Sequence, residues 1–271
     1  MILDIDMGNS RVKWRLSDGG LESGRGACSH QELAGTRGLG DLGLLLQSRP
    51  ERIRVCSVAN SETLEMIQAW AASRFSLPLE VAKVGDGPGG VRCGYRHPAK
   101  LGVDRWLAIL AAWRRLGESC VVVDAGTALT VDVLLAGRID SGSQGSSCQS
   151  QSGHFGADHL GGYIVPGLNA MSGALYAGTD GVRPGPPAQL NELEPGTDTG
   201  AAVRRGCVAM AVALIERVRA QASSKTEAGA EVPVVLTGGD AGSLVQFIAE
   251  PVVSVPDLVL DGLAIALPEI S

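Results

Sequence analysis

The sequence has no GxxxxGK[ST] segment, no CxxC pair and no block of Lys or Arg. Each absence closes off a class of function. Without the first, a P-loop is excluded as a phosphate cradle. Without the second, the six cysteines (Cys28, Cys56, Cys93, Cys120, Cys148 and Cys207) suggest neither a zinc site nor a disulfide framework and are expected to be reduced thiols. With a net charge of −6 and dispersed basic residues, the chain lacks the basic footprint that nucleic-acid backbones require. No stretch reaches the roughly 18 apolar residues of a membrane span. Acids at Asp4 and Asp6 stand where a basic leader would lie, so a cytoplasmic protein without membrane partners is expected. An anionic partner would need local chemistry or a bridging cation.

What is present is an ordinary globular composition, 45% hydrophobic and 19% charged over 271 residues, enough for one large or two small domains. The chain also echoes itself. "ILDIDMGNSRVKW" runs from a short apolar strand through Asp6 and a Met7-Gly8-Asn9 turn into an alternating strand. A shift of 118 residues lays Asp6 on Asp124 and Gly8 on Gly126 within "VVVDAGTALTVDVL". One shift of that size fits an old duplication better than a repeat array. Two halves are therefore expected, 1–117 and 118–271, with the boundary near Leu116 to Ser119.

Within "RVKWRL", Arg11, Lys13 and Arg15 alternate with Val12, Trp14 and Leu16, the period-2 pattern of a strand with one covered face. Its basic face would meet either water or phosphates. "ERIRVCSV" at 51–58 reads as another strand. "ETLEMIQAWAASRF" and "DRWLAILAAWRRLGE" read as helices, with Trp106, Leu107, Leu110 and Trp113 on a core-facing stripe. A long helix is expected to start near Asp198, a good N-cap residue. "VPVVLTGGDAGSLVQFI" reads as strand, glycine turn and helix. The fold class is α/β, and the strand-turn-strand units imply mixed sheets. Residues 140–158 are rich in Ser, Gln and Gly and are expected to form a flexible insertion. His154 and His159, five apart, have no helical or strand-based reason to converge on a metal. "GLGDLG" at 38–43 matches GxGxxG but follows no strand, so it is set aside.

The acid-glycine turns have a physical rationale. Glycine lets a backbone approach an anion with its N–H groups free to donate, and Ser10 or Thr127 can add a hydroxyl. A carboxylate beside a polyphosphate is repelled unless a cation lies between, which suits Asp6 and Asp124 as direct or water-mediated holders of Mg²⁺ or another metal. Two such turns would face each other across a cleft. Either turn alone also fits a tight hairpin whose Asp bonds its own backbone. The repetition favours the first reading.

"DMGNS" at 6–10, "GVDR" at 102–105, "DAGTALTVD" at 124–132, "LGGYIVPG" at 160–167 and "TGGDA" at 237–241 stand in the order and spacing of the type III pantothenate kinases. The chain resembles that family over nearly its whole length. The family belongs to the acetate kinase, sugar kinase, Hsp70 and actin superfamily. The resemblance implies two ribonuclease H-like halves with mixed sheets flanked by helices and an ATP cleft between them. It also implies phosphorylation of pantothenate to 4′-phosphopantothenate, the first step of coenzyme A biosynthesis.

By the same resemblance Asp6, Met7, Gly8, Asn9, Ser10, Arg11, Val12 and Lys13 would lie along the ATP phosphates, with Asp6 on Mg²⁺ directly or through water. Thr127 would touch ATP, and Gly238 and Gly239 would form the adenosine-side turn. Asp124 would hold a monovalent cation, K⁺ or NH₄⁺. Asp104 would be the catalytic base, although an acid in a first helical turn is also favoured by the helix dipole. Gly102, Val103 and Arg105 would complete the substrate segment. Arg105 suits a bidentate contact with the pantothenate carboxylate, against the plainer reading of a surface ion pair. Tyr95 would touch pantothenate or be an ordinary buried aromatic. Thr199 would reach the substrate of the partner subunit in a homodimer or simply cap its helix. The family usually passes from its second strand through a short hairpin to the GG-x-I-x-PG segment, whereas here the Ser/Gln-rich stretch intervenes. A nucleotide-binding transcriptional accessory factor on the same scaffold, or a kinase for another small alcohol, remains open.

Overall fold

The opening apolar run folds as β1 (Ile2–Met7), the central strand of a first sheet, in a computed structural model that describes residues 1–34, 49–58, 61–85, 89–137, 156–181 and 190–269. The GLGDLG stretch, and the 140–158 insertion apart from its last three residues, lie outside the described residues. The further strands are β2 (Arg11–Asp18), β3 (Leu21–Ser29), β4 (Arg52–Ser57), β5 (Leu79–Val81), β6 (Val91–Arg92), β7 (Cys120–Ala125), β8 (Ala128–Ala136), β9 (Ala157–Pro166), β10 (Val234–Thr237) and β11 (Val252–Ser254). The described helices are α1 (His30–Ala34), α2 (Ser61–Phe75), α3 (Val103–Leu116), α4 (Leu168–Gly178), α5 (Thr199–Ser223), α6 (Ala241–Leu244) and α7 (Leu258–Ala266). The chain divides into two units. One comprises Met1–Gly89, His97–Ala111 and Leu258–Ser271, the other Gly90–Arg96 and Ala112–Asp257.

In the first unit the strand order is β3-β2-β1-β4-β5. The first three strands are antiparallel, while β4 and β5 run parallel to β1. Being central, β1 buries Leu3, Ile5 and Met7 completely, and Ile53 and Val55 of β4 join them. Each such side chain contributes roughly 1.5–3 kcal/mol of burial free energy. The expected alternation of β2 is present, with Val12, Trp14 and Leu16 buried and their basic neighbours not. Trp14 lies across from Gly26 of β3, where a Cβ would come within 2.6 Å of the indole nitrogen. A flat ring on that strand therefore needs glycine opposite. The sheet is covered by α2, through Ile67, Ala71 and Phe75, and by α7.

The covering helix α7 comes from the far end of the chain, and charge holds it there. Asp4, 1% exposed, takes a two-pronged contact from Arg54, at 2.7 Å from Nε and 3.0 Å from Nη2. Arg54 also donates to the Leu267 carbonyl, and Arg15 bridges to Asp261 at 2.6 Å. Arg15, on the basic face of β2, is thus an internal clamp. The start of α3 packs equally closely on α7, since a Cβ on Gly262 would stand 2.2 Å from the Leu107 carbonyl oxygen.

In the second unit the order is β11-β10-β7-β8-β9-β6. From β9 to β11 it reproduces the first sheet strand for strand: β7, β8 and β9 are antiparallel, and β10 and β11 run parallel to β7. The internal echo of the sequence is therefore an echo of topology. The long helix α5 packs on β7 and β8. Its buried Cys207, Val208, Ala211, Ile215, Val218 and Ala222 recur at helical spacing. Its start is capped as expected, because the Asp198 carboxylate accepts the Ala201 N–H at 2.8 Å. The five described cysteines form no disulfide, and burial with the nearby charge of Glu118 pushes the Cys120 thiol up to about 12.

Candidate active site

Residues 8–10 form the connection between β1 and β2, where Met7 pairs with Val12 and Asp6 with Lys13. The acid and the base thus stand opposite each other across the ladder. Gly8 N–H donates to the Arg11 carbonyl at 3.1 Å, and His30 Nε2 donates to the Gly8 carbonyl at 2.8 Å. His30, whose position carries no sequence signal, therefore braces the turn from α1. Met7 and Val12 point into the core and can offer a ligand only their backbone. Asn9, Ser10 and Arg11 are exposed, while Asp6 and Lys13 are half-buried.

Also in the first unit, Gly102 stands at the start of α3, its carbonyl accepting the Trp106 N–H. Asp104 sits in the first turn, and its Oδ1 accepts the Arg105 N–H at 2.7 Å, one of the donors that a helix start leaves over. A Cβ on Gly102 would lie 2.6 Å from that Oδ1, so the glycine makes room for the carboxylate. Arg105 is 6% exposed, which removes the reading of an ordinary surface ion pair.

The second unit brings three turns together. Gly126 N–H donates to the Ala128 carbonyl, closing the turn after Asp124. Thr237, at the end of β10, pairs with Asp124, and Gly238 follows with φ +98°. A Cβ there would stand 2.4 Å from the Ala125 oxygen and 2.5 Å from Asp124 Oδ1, so only glycine fits. Asp240 N–H donates to the Ala125 carbonyl at 2.8 Å. The third turn is Pro166-Gly167, directly before α4. Gly167 N–H donates to Thr127, and a Cβ on Gly167 would be 2.1 Å from the Gly126 oxygen. The sequence singled out Asp124, Thr127, Gly238 and Gly239. Gly167 and Asp240 stand within the LGGYIVPG and TGGDA motifs without an assigned role, and the PG dipeptide ahead of a helix is the available signal for the former.

Beside these turns the second unit has a cavity of about 420 Å³, lined among others by Asn169, Ser172, Arg204, Asp240, Ser243 and Gln246. Nε and Nη1 of Arg204 are buried without a hydrogen-bond partner among the described residues. Burial pushes the Asp240 carboxyl up. The other two predicted residues of this unit lie on different elements. Thr199 occupies the exposed first position of α5, and because Asp198 does the capping, the capping reading of Thr199 does not hold. Tyr95 stacks on the ring of His159, with centroids 5.9 Å apart.

Among the described residues no group of three or more His, Cys, Asp or Glu is placed to hold a metal ion. A cation at Asp6 or Asp124 would draw its other ligands from backbone oxygens, water and bound phosphate, the usual manner for Mg²⁺ on a nucleotide. The crowding of oxygens from Ala125 and Asp124 around Gly238 fits such a donor set. No described helix is long and apolar enough to cross a membrane.

The family model for type III pantothenate kinase matches residues 2–143 and 154–221. The chain is 36% identical to a type III pantothenate kinase of Ectopseudomonas mendocina, with 99% of each chain covered. It is 34% identical to that of Chromohalobacter salexigens, over 99% of this chain and 88% of the other. Among solved structures, a protein described as a Baf family transcriptional activator from Campylobacter jejuni superposes with a TM-score of 0.55 at 18% identity, covering 96% of this chain and 94% of that one. A protein described as a 2-dehydro-3-deoxygalactonokinase from Sinorhizobium meliloti gives 0.54 at 15% identity, with 98% of each covered. At such identities the structures speak for the fold alone, a two-part α/β architecture with mixed sheets flanked by helices. With the family model matched over most of the chain and relatives matched over 99% of it, the chain belongs to the type III pantothenate kinase family.

Proposed function

We propose that this protein transfers the γ-phosphoryl group of ATP to the primary hydroxyl of pantothenate, giving 4′-phosphopantothenate and ADP in the first step of coenzyme A biosynthesis. The observation that carries the reading is the start of α3. There a carboxylate occupies the space left by Gly102, next to a buried arginine, in a chain matched to the family over its whole length. Phosphoryl transfer asks mainly for positioning and charge stabilisation. Asp104 accepts the hydroxyl proton late, as the oxygen bonds to phosphorus, and so needs no strongly raised pKa. Arg105 takes the pantothenate carboxylate in its planar fork. Gly102 and Val103 lie along the substrate, and Tyr95 touches it.

The segment from Asp6 to Lys13 lies along the phosphates with its backbone and its basic face, and Thr127 adds a hydroxyl. Gly238 and Gly239 turn the backbone beside the nucleoside, for which the cavity bordered by Arg204 and Asp240 is a fitting receptacle. Mg²⁺ bound with ATP supplies charge neutralisation at the phosphates, with Asp6 oriented to it directly or through water. Asp124 holds the monovalent cation, K⁺ or NH₄⁺. The working form is a homodimer in which Thr199 serves the partner's substrate. Apolar side chains left in water on β9, α4 and α5, among them Tyr163, Ile164, Leu175 and Met210, support that assembly.

Mass spectrometry of the product from pantothenate, ATP and Mg²⁺, with and without K⁺, tests the reading. The expected result is phosphopantothenate that increases with K⁺. Binding of both substrates without any product would reject it. Asp104→Asn should lose about 10²–10⁴-fold in kcat while still binding ATP. A transcriptional accessory factor would keep its effect in cells with that substitution, and a kinase for another small alcohol would turn over its own acceptor faster than pantothenate.

A further inference from the structure

A buried pair that the catalytic reading does not use lies behind Tyr95. His159 and Asp132 are 1% and 2% exposed, and His159 Nε2 stands 2.9 Å from Asp132 Oδ1. Two neighbouring strands of the second unit supply them, and ordinary pairing would not put them on one face. Along β8 and β9, Asp132 pairs with Gly162 and Val133 with Gly161, but Leu134 pairs with His159. Leu160 is the extra residue of a β-bulge, followed by Gly161 at φ +101°. Side chains alternate along a strand, so without the bulge His159 would point to the opposite face from Asp132. Gly162 completes the arrangement, since a Cβ there would stand 2.5 Å from Asp132 Oδ1.

The imidazole so fixed is the surface on which Tyr95 rests, with rings inclined by only 16° and centroids 5.9 Å apart. The backbone at Gly94 is held just as closely, because a Cβ there would fall 1.8 Å from the His159 carbonyl oxygen. The short β6–β9 pairing, reinforced by Arg92 and Asp158 at 2.7 Å, leads the chain into this contact.

We propose that Asp132 and His159 are positioning residues for pantothenate. The carboxylate fixes the imidazole plane, and the imidazole fixes the ring of Tyr95 against the substrate. The proposal rests on the functional reading above, in which Tyr95 touches pantothenate. In this arrangement Nε2–H donates to Asp132, which sets the tautomer as well as the plane. A buried histidine–carboxylate hydrogen bond fixes orientation more than it adds stability over apolar packing, so a role in holding geometry is the better account of this pair.

The test is a double-mutant cycle on the full-length enzyme, reading KM for each substrate separately. His159→Gln and Asp132→Asn should each raise KM for pantothenate about 3- to 10-fold, the range expected from losing an aromatic pair, and leave KM for ATP unchanged. In a Tyr95→Ala background the same substitutions should add nothing further. The inference is overturned if their effects persist in full without Tyr95, or if KM for ATP rises as much as KM for pantothenate. Asp132→Asn is nearly isosteric and decides the matter by itself should His159→Gln fail to fold. If both fold and neither changes KM for pantothenate, the inference is likewise wrong. A wild-type enzyme that never phosphorylates pantothenate would instead bring down the functional reading itself.

Discussion

Single glycines set the chemistry at the residue scale. Gly102 is required by the carboxylate beside it, with 2.6 Å between a notional Cβ and Asp104 Oδ1. That is closer than a real Cβ comes to an oxygen it is not bonded to, so Gly102→Ala must move the carboxylate while leaving the helix backbone able to form. On the proposed role of Asp104 as the base, the expected outcome is a fall in kcat of about 10–100-fold, as for small misplacements of a reacting group, with KM for ATP unchanged and the melting temperature nearly unaltered. Steady-state kinetics beside a thermal melt check this. An alanine variant with full kcat would show that the carboxylate's position there is immaterial. Gly238 constrains its site in the same way, but beside Asp124 Oδ1 its neighbours are the carbonyl carbon and oxygen of Ala125, which cannot swing aside as a side chain can.

Elements bring the exposed apolar surface into view. β9 pairs with β6 only at its first two residues, and beyond them Leu160, Tyr163 and Ile164 stay in water, with Leu175 of α4 and Met210 of α5. These elements pack on one another in the second unit. Tyr163, paired with Val131, shares the sheet face on which α5 packs, whereas Ile164 points to the other. If the former face is the dimer contact, Tyr163→Glu should convert a species of twice the 27.9 kDa chain mass into the single chain in sedimentation velocity. On the proposed role of Thr199 at the partner's substrate, it should also depress turnover of pantothenate. Unchanged sedimentation of the variant would move the interface elsewhere.

Much of this scale was legible in the sequence. The alternation from Arg11 to Leu16, the Asp198 cap and the glycine turn after Thr237 each follow from local chemistry, and each is where it was expected. Other features depend on distant partners. β6 has two residues, too few for any period to register, and exists because β9 lies beside it. The helix expected after TGGD is only four residues long before the chain tightens into a 3₁₀ turn at Val245–Phe247. The bulge that carries His159 onto the face of Asp132 has no sequence signature beyond Gly161. That is why a histidine five residues from another gave no hint of its role. Arg15 stands on the basic face that would meet either water or phosphates, and it is claimed by Asp261, 246 residues away.

At the scale of the whole molecule, the chain's ends belong to one unit. β1 begins the fold, yet α7 covers it, and Arg54 reaches from Asp4 to the Leu267 carbonyl. The first unit is therefore incomplete without α7, and the charge pair is its fastening. Removing one partner leaves the other buried and uncompensated. Asp4→Ala is thus expected to destabilise by about 3–5 kcal/mol, against the small cost of losing an exposed pair. Replacing both, as Asp4→Leu with Arg54→Met, restores apolar packing and removes both desolvated charges. That double variant should recover most of the loss, short of about 1 kcal/mol for the forfeited hydrogen bond to Leu267. Urea unfolding of the wild type, the single and the double variants separates the cases. If the double variant is no more stable than Asp4→Ala, the pair stabilises the fold by its charge, and the fastening is more than a way of avoiding a buried unpaired ion.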